Sequence, residues 1–90
     1  MDDQLVTKTE QYEALLEAAC ARVHIAPEEH TRLGQLADEH LEMATAYLED
    51  GKHFSTEDDL PNALASFAYG HGWLDAAIRA GLLTEDDRDV

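Results

Sequence analysis

The chain is 90 residues long and carries 20 acidic against 6 basic side chains, a formal net charge of −14. That length allows one domain with a thin core. Its 44% apolar content is enough to build that core, despite a charge imbalance that alone would favour disorder. Such a surface excludes nucleic acid as an expected partner, because phosphate binding needs clustered Lys and Arg.

A single cysteine, Cys20, rules out an intrachain disulfide, and a reducing, cytoplasmic compartment is expected. The start, Met1-Asp2-Asp3-Gln4, is acidic where a secretory leader would be basic. Residues 63–83 are apolar and long enough to prompt a membrane reading, but they contain His71, Asp75 and Arg79. Each charge near a bilayer centre costs about 2.5–3.5 kcal/mol, so no membrane partner is expected. The acids are spread through the first 59 residues and the tail rather than gathered in one block. That spread suits general hydration of a surface in molar salt, where the Debye length is about 3 Å and long-range steering is screened.

Apolar spacing is helical throughout. Leu5, Thr9, Tyr12, Leu16, Ala19 and Val23 step by fours and threes, which predicts a first helix over residues 3–24 with acids near its start. Ile25-Ala26-Pro27 breaks it, and Pro27 with Glu28 and Glu29 suits the first turn of a second helix. The stripe of that helix is Leu33, Leu36, His40, Met43, Tyr47 and Phe54, with Ala37, Leu41, Ala44 and Leu48 beside it; Leu33, Leu36, Met43, Tyr47 and Phe54 are read as core, and the helix runs to about Ser55. Thr56 to Pro61 forms a loop and a helix start, capped by Asp58 or Asp59 with Pro61 in the first turn. The third helix then runs to Ala80, where Gly81 is a left-handed stop and Leu82 makes the accompanying apolar contact. No strand-like alternation is visible. The expected fold is all-α: an up-down-up three-helix bundle over residues 1–83, followed by an acidic, disordered tail at 84–90.

The third helix is unusual. Between Leu60 and Thr84 only Asp75 and Arg79 are charged. At 100° per residue, Ala63, Phe67, Gly70, Leu74 and Ile78 form its core face. Ala68, Gly72, Ala76 and Ala80 form a small-residue ridge on the far side, where an exposed helix normally carries Glu and Lys. Tyr69 and Trp73 border this ridge on one side; His71 and Asp75 border it on the other. One three-helix bundle does not cover all of these faces. The ridge is therefore read as a contact surface for a second copy or for another protein.

Two resemblances follow from these residues. Tyr47, Gly51, Phe54, Ala63, Phe67 and Gly70 fall at spacings similar to one tetratricopeptide hairpin, which implies helix-turn-helix packing. A single unit implies no peptide groove, since such arrays need about three. The run from Ala63 to Ala76 (ALASFAYGHGWLDA), with Arg79-Ala80-Gly81-Leu82, resembles the signature of a small archaeal family, domain-of-unknown-function family 357. Leu41-Glu42-Met43-Ala44, Tyr47-Leu48 with Asp50, and His53-Phe54 resemble it as well, so the likeness covers nearly the whole chain. Gly70 stands where that pattern suggests alanine. The resemblance implies a short helical bundle in an archaeal cytoplasm and, with this acidity, a haloarchaeal one. It carries no activity.

Chemistry-bearing groups are sparse. His71 and Asp75, one turn apart, would supply two metal ligands, with His40 or His53 as a third, but no HExxH or paired CxxC is present. A His–Asp hydrogen bond explains the pair as well. His40 reads as a satisfied boundary histidine and Cys20 as a small core residue. Neither Ser55 nor Ser66 stands in a nucleophile motif, and there is no glycine-rich phosphate loop. The sequence thus points to a non-catalytic interaction or homo-oligomerisation module, with no cofactor, acting through Ala68, Tyr69, Gly72, Trp73, Ala76 and Ala80. The alternative is a small-ligand or metal-binding domain using His71, Asp75 and Trp73. The salt reading makes the first prediction: far-UV circular dichroism should lose helical signal on transfer from molar KCl to dilute buffer. An unchanged spectrum would count against it.

Overall fold

The computed structural model describes residues 3–85. Three helices follow in order: α1 (Asp3–Arg22), α2 (Arg32–Thr56) and α3 (Leu60–Arg79). Two short strands, β1 (Val23–Ile25) and β2 (Leu83–Glu85), follow α1 and α3. The fold is the expected all-α, three-helix bundle. α3 packs against both other helices and most extensively against α2, while α1 and α2 touch each other least. The molecule is long and thin, with extents of 47 × 28 × 17 Å.

The strands correct the sequence reading, which found no strand and ran the first helix to His24. β1 and β2 pair antiparallel, with Val23 opposite Glu85, His24 opposite Thr84 and Ile25 opposite Leu83. The amide of Ala26 donates to the Leu82 carbonyl at 3.0 Å, extending the ladder, and Arg22 sits 3.5 Å from the Glu85 carboxylate. Three residues are too few to show a period of two, so the pattern had no signal to give. Thr84 and Glu85, assigned to the acidic tail, therefore belong to β2; residues 86–90 lie outside the described residues.

Helix ends follow local chemistry. α2 starts later than expected, at Arg32 rather than in the turn of Pro27. Thr31 is the N-cap, its hydroxyl accepting from the Gly34 amide at 3.0 Å and donating to the Glu28 carbonyl at 2.6 Å. Residues 27–31 fold back over α2, and a β-carbon at position 34 would strike the Glu28 carbonyl. Asp59 caps α3 and accepts from the Asn62 amide at 3.4 Å, with Pro61 in the first turn. Gly81 ends α3 with φ +80°. Its amide donates to the Ile78 carbonyl at 3.1 Å, and that of Leu82 to the Ala77 carbonyl at 2.9 Å. These two bonds make a Schellman stop, and they turn Leu82 and Leu83 into the core.

The core gathers Leu16, Val23, Leu48, Phe67, Leu74 and Leu83, with Ala37, Ala44, Ala63 and Ala77 between them. On α2 the buried seam is Gly34, Ala37, Ala44, Leu48 and Gly51. This overturns the expected seam. Leu33 is 55% exposed and Met43 36%, while Leu36, His40 and Tyr47 are half-buried. Small residues won the inner face because α3 comes very close. A β-carbon at position 51 would overlap the Phe67 ring, and one at position 70 would lie 2.6 Å from Leu16 Cδ2 and 3.3 Å from the Ala44 carbonyl oxygen. α2 and α3 pack as a helix-turn-helix, with Gly51 against the Phe67 ring.

The same substitution should act with opposite sign at two glycines. Gly51→Ala forces the fully buried Phe67 to shift and should cost about 1–3 kcal/mol. Gly72→Ala meets nothing within 4 Å and should stabilise by about 0.5–1 kcal/mol through helix propensity. Urea midpoints in high salt measure both.

Candidate functional site

The uncharged side of α3 forms one wall of a shallow groove of about 320 Å³. Ala68, Tyr69, Gly72, Trp73 and Ala76 line it, and His40 of α2 lines the opposite wall. Ala80, the last residue of the expected ridge, is exposed at the end of α3 beyond this groove. Five of the six expected contact residues are thus brought together.

Two aromatic pairs hold the groove's walls. The His40 and Trp73 rings meet edge-on with centroids 5.1 Å apart, and Tyr47 lies 5.6 Å from Tyr69. His40 Nδ1 donates to the Leu36 carbonyl at 2.8 Å; a carbonyl only accepts, so this nitrogen carries the hydrogen. The ring is therefore fixed in tautomer and satisfied, the boundary role expected of it. Tyr69 is 63% exposed. Between the two pairs, Gly72 leaves open space where a β-carbon would stand. The sequence reading missed the α2 wall, although His40 lay in the apolar stripe that signalled it.

His71 and Asp75 lie on the other flank of α3, facing α1. They line a second groove of about 220 Å³ with Leu15, Ala19, Ile78 and Glu85. They do not form the expected His–Asp bond. Asp75 accepts from Arg79 Nε at 2.9 Å, and His71 Nε2 lies 3.4 Å from the Tyr12 carbonyl oxygen, its ring edge-on to Tyr12. A carbonyl and an arginine already occupy these side chains. Trp73 lines the α2 groove, so the three residues of the ligand reading are not gathered at one place. Among the described residues no group of three or more His, Cys, Asp or Glu is placed to hold a metal ion. No described helix is long and apolar enough to cross a membrane. A further groove of about 450 Å³ lies under the 27–31 fold-back and mixes Ile25 and Pro27 with Glu29, Gln35 and Asp38.

Cys20 is half-buried where α1 approaches α2. Burial pushes its thiol above the ordinary range, a hydrogen bond with Thr45 opposes this, and the Glu17 charge adds to it. The thiolate is the reactive form, so the site is chemically quiet.

The fold and its groove define a class: an acidic three-helix bundle with an uncharged groove between its second and third helices. The chain belongs to the family described as "Protein of unknown function (DUF357)", whose match spans residues 11–83. Neither a curated protein nor a solved structure matches it.

The raised thiol gives a pH prediction. Iodoacetamide should label Cys20 more slowly in the folded chain than in the guanidinium-unfolded chain near pH 8.5, with the native rate rising only at higher pH. The neutral thiol is the form the fold favours. Its stabilisation is therefore present below the unfolded thiol's pKa and lost as pH rises through the folded one. Equal native and unfolded rates would refute the assignment.

Proposed function

We propose that this protein is a non-catalytic interaction module that docks another protein surface through α3, working in the salt-rich cytoplasm of an archaeon. The carrying observation is the groove: Ala68, Gly72 and Ala76 with an exposed Tyr69 and a half-buried Trp73 in a chain of net charge −14. The chain carries 20 acidic side chains, yet the only charges on this helix are the Asp75–Arg79 ion pair, which lies on its α1 flank. Aromatic side chains beside small residues suit a protein contact, where rings anchor and small residues admit a close backbone. A small-ligand site at His71 and Asp75 is the less favoured reading, since those side chains are engaged by Tyr12 and Arg79.

Affinity purification from the source organism in molar salt tests the module. The wild-type chain should recover itself or a partner in stoichiometric amount, and Gly72→Glu should lose that recovery while keeping its helical spectrum. Identical recovery by the two chains, or a wild-type chain recovered alone as a monomer, would sink the reading.

A further inference from the structure

α1 is held more weakly than its length suggests. Of its 20 residues only Thr9 and Leu16 are buried, whereas α3, also 20 residues, buries six. Thr9 uses its hydroxyl within α1, donating to the Leu5 carbonyl at 2.7 Å, so Leu16 is the one large side chain that α1 sets fully into the core. Tyr12, Ala19 and Cys20 pack beside it, half-buried. Most helical stability in a protein comes from such packing, and α1 has little of it. Charge separates the helices in the same way. With histidine neutral, α1 carries a net charge of −2 and α2 one of −3, while α3 carries none. The two acidic helices touch each other least, and each packs on the neutral one. Across their seam, Lys52 of α2 donates to the Glu17 carboxylate of α1 at 3.3 Å. That bond holds the Lys52 ammonium above its ordinary range, and the charges of Glu49 and Glu13 add to the effect. Three carboxylates thus share one ammonium at this seam.

We infer that α1 is a salt-gated flap: in dilute solution it opens from the α2–α3 pair, with the β1–β2 clasp as its hinge and Lys52 as its latch, and concentrated salt closes it. Range decides the direction. Neighbouring helix axes stand about 8–10 Å apart, and the Debye length falls from about 10 Å at 0.1 M salt to about 3 Å at 1 M. The repulsion between α1 and α2 is therefore felt in dilute buffer and screened at molar salt. The Lys52–Glu17 contact, at 3.3 Å, is short enough to survive more of that screening. The hinge depends little on salt, because backbone hydrogen bonds and the buried Val23 and Leu83 hold it, with the exposed Arg22–Glu85 pair at its edge. Opening uncovers the α1-facing side of α3. There Leu16 lies against Gly70, and Leu74 and Ile78 line the groove they share with Leu15 and Ala19.

Hydrogen exchange of the full chain, read by peptide mass spectrometry from 3 M down to 0.1 M KCl, tests the flap. Protection of α1 relative to α3 in the same sample should fall at least about tenfold as salt is removed, while α2 and α3 stay protected. Two variants at the seam should act with opposite sign. At 0.1 M KCl, Lys52→Gln should lower α1 protection and Glu49→Gln should raise it, each about threefold, and both differences should vanish at 3 M. Glutamine matches Lys and Glu in helix propensity, so neither change disturbs α2 itself. A constant ratio of α1 to α3 protection across the salt range overturns the inference, as do variants that shift α1 in the same direction. Loss of protection in all three helices at one salt concentration also overturns it, and leaves the salt dependence of the whole fold standing.

Discussion

Phe67 fills the space where a β-carbon at position 51 would stand, and Leu16 with the Ala44 carbonyl presses on the space beside Gly70. These two contacts fix how far α3 stands from its neighbours and how α2 is rotated about its axis. With the approach that close, Ala37, Ala44, Leu48 and Gly51 form the inner side of α2, while Gly34 is buried under the Glu28 carbonyl. Of the bulkier stripe beside them, Leu33 and Met43 face outward while Leu36, His40, Tyr47 and Phe54 are half-buried. The exposed apolar face is therefore a consequence of the core rather than a separate feature. Close backbone packing gains dispersion contacts along the whole hairpin, and Leu33 and Met43 remain partly in water as its cost.

The far end of the bundle is held by a different device. Gly81 reverses the chain out of α3, Leu82 and Leu83 drop into the core, and β2 pairs with β1 at the end of α1. α1 makes few contacts with α2, so this clasp joins the first helix to the last across the whole length of the sequence. The backbone hydrogen bonds of this clasp add to the packing of α1 on α3, while the α1–α2 contact carries an exposed ion pair, Lys52–Glu17, which water screens.

Much of this was legible in the sequence, because the signals are local. Gly81, Asp59 and Pro61 each act within one turn of the backbone, and each marks a helix end where expected. The α3 core face was readable because its large and small residues separate cleanly around the wheel. What failed were features decided by neighbours. The hydrophobic period on α2 contains two adjacent stripes, and size alone favours Leu33, Met43 and Tyr47. Tertiary contacts decide for the smaller stripe: the Phe67 ring at Gly51 and the Glu28 carbonyl at Gly34. The Thr31 cap prevailed over Pro27 because the hydroxyl satisfies the Gly34 amide while the Glu28 carbonyl packs on that glycine, contacts within six residues that the proline signal overshadowed. At the candidate site the ridge was visible in the sequence, but its second wall was hidden by being assigned to the core.

The acid content bears on the same point. A surface dense in carboxylates remains hydrated and keeps copies of the chain apart. An uncharged surface within it is then selective by exclusion: any partner rich in exposed acids is turned away everywhere except there. Salt changes this balance in one direction only. Screening weakens the repulsion between surrounding carboxylates, while excluded salts strengthen apolar burial. Both shifts would favour contact through that uncharged surface. Under the proposed salt adaptation, the carboxylates that repel one another in dilute solution would leave folding and contact both strongest in concentrated salt.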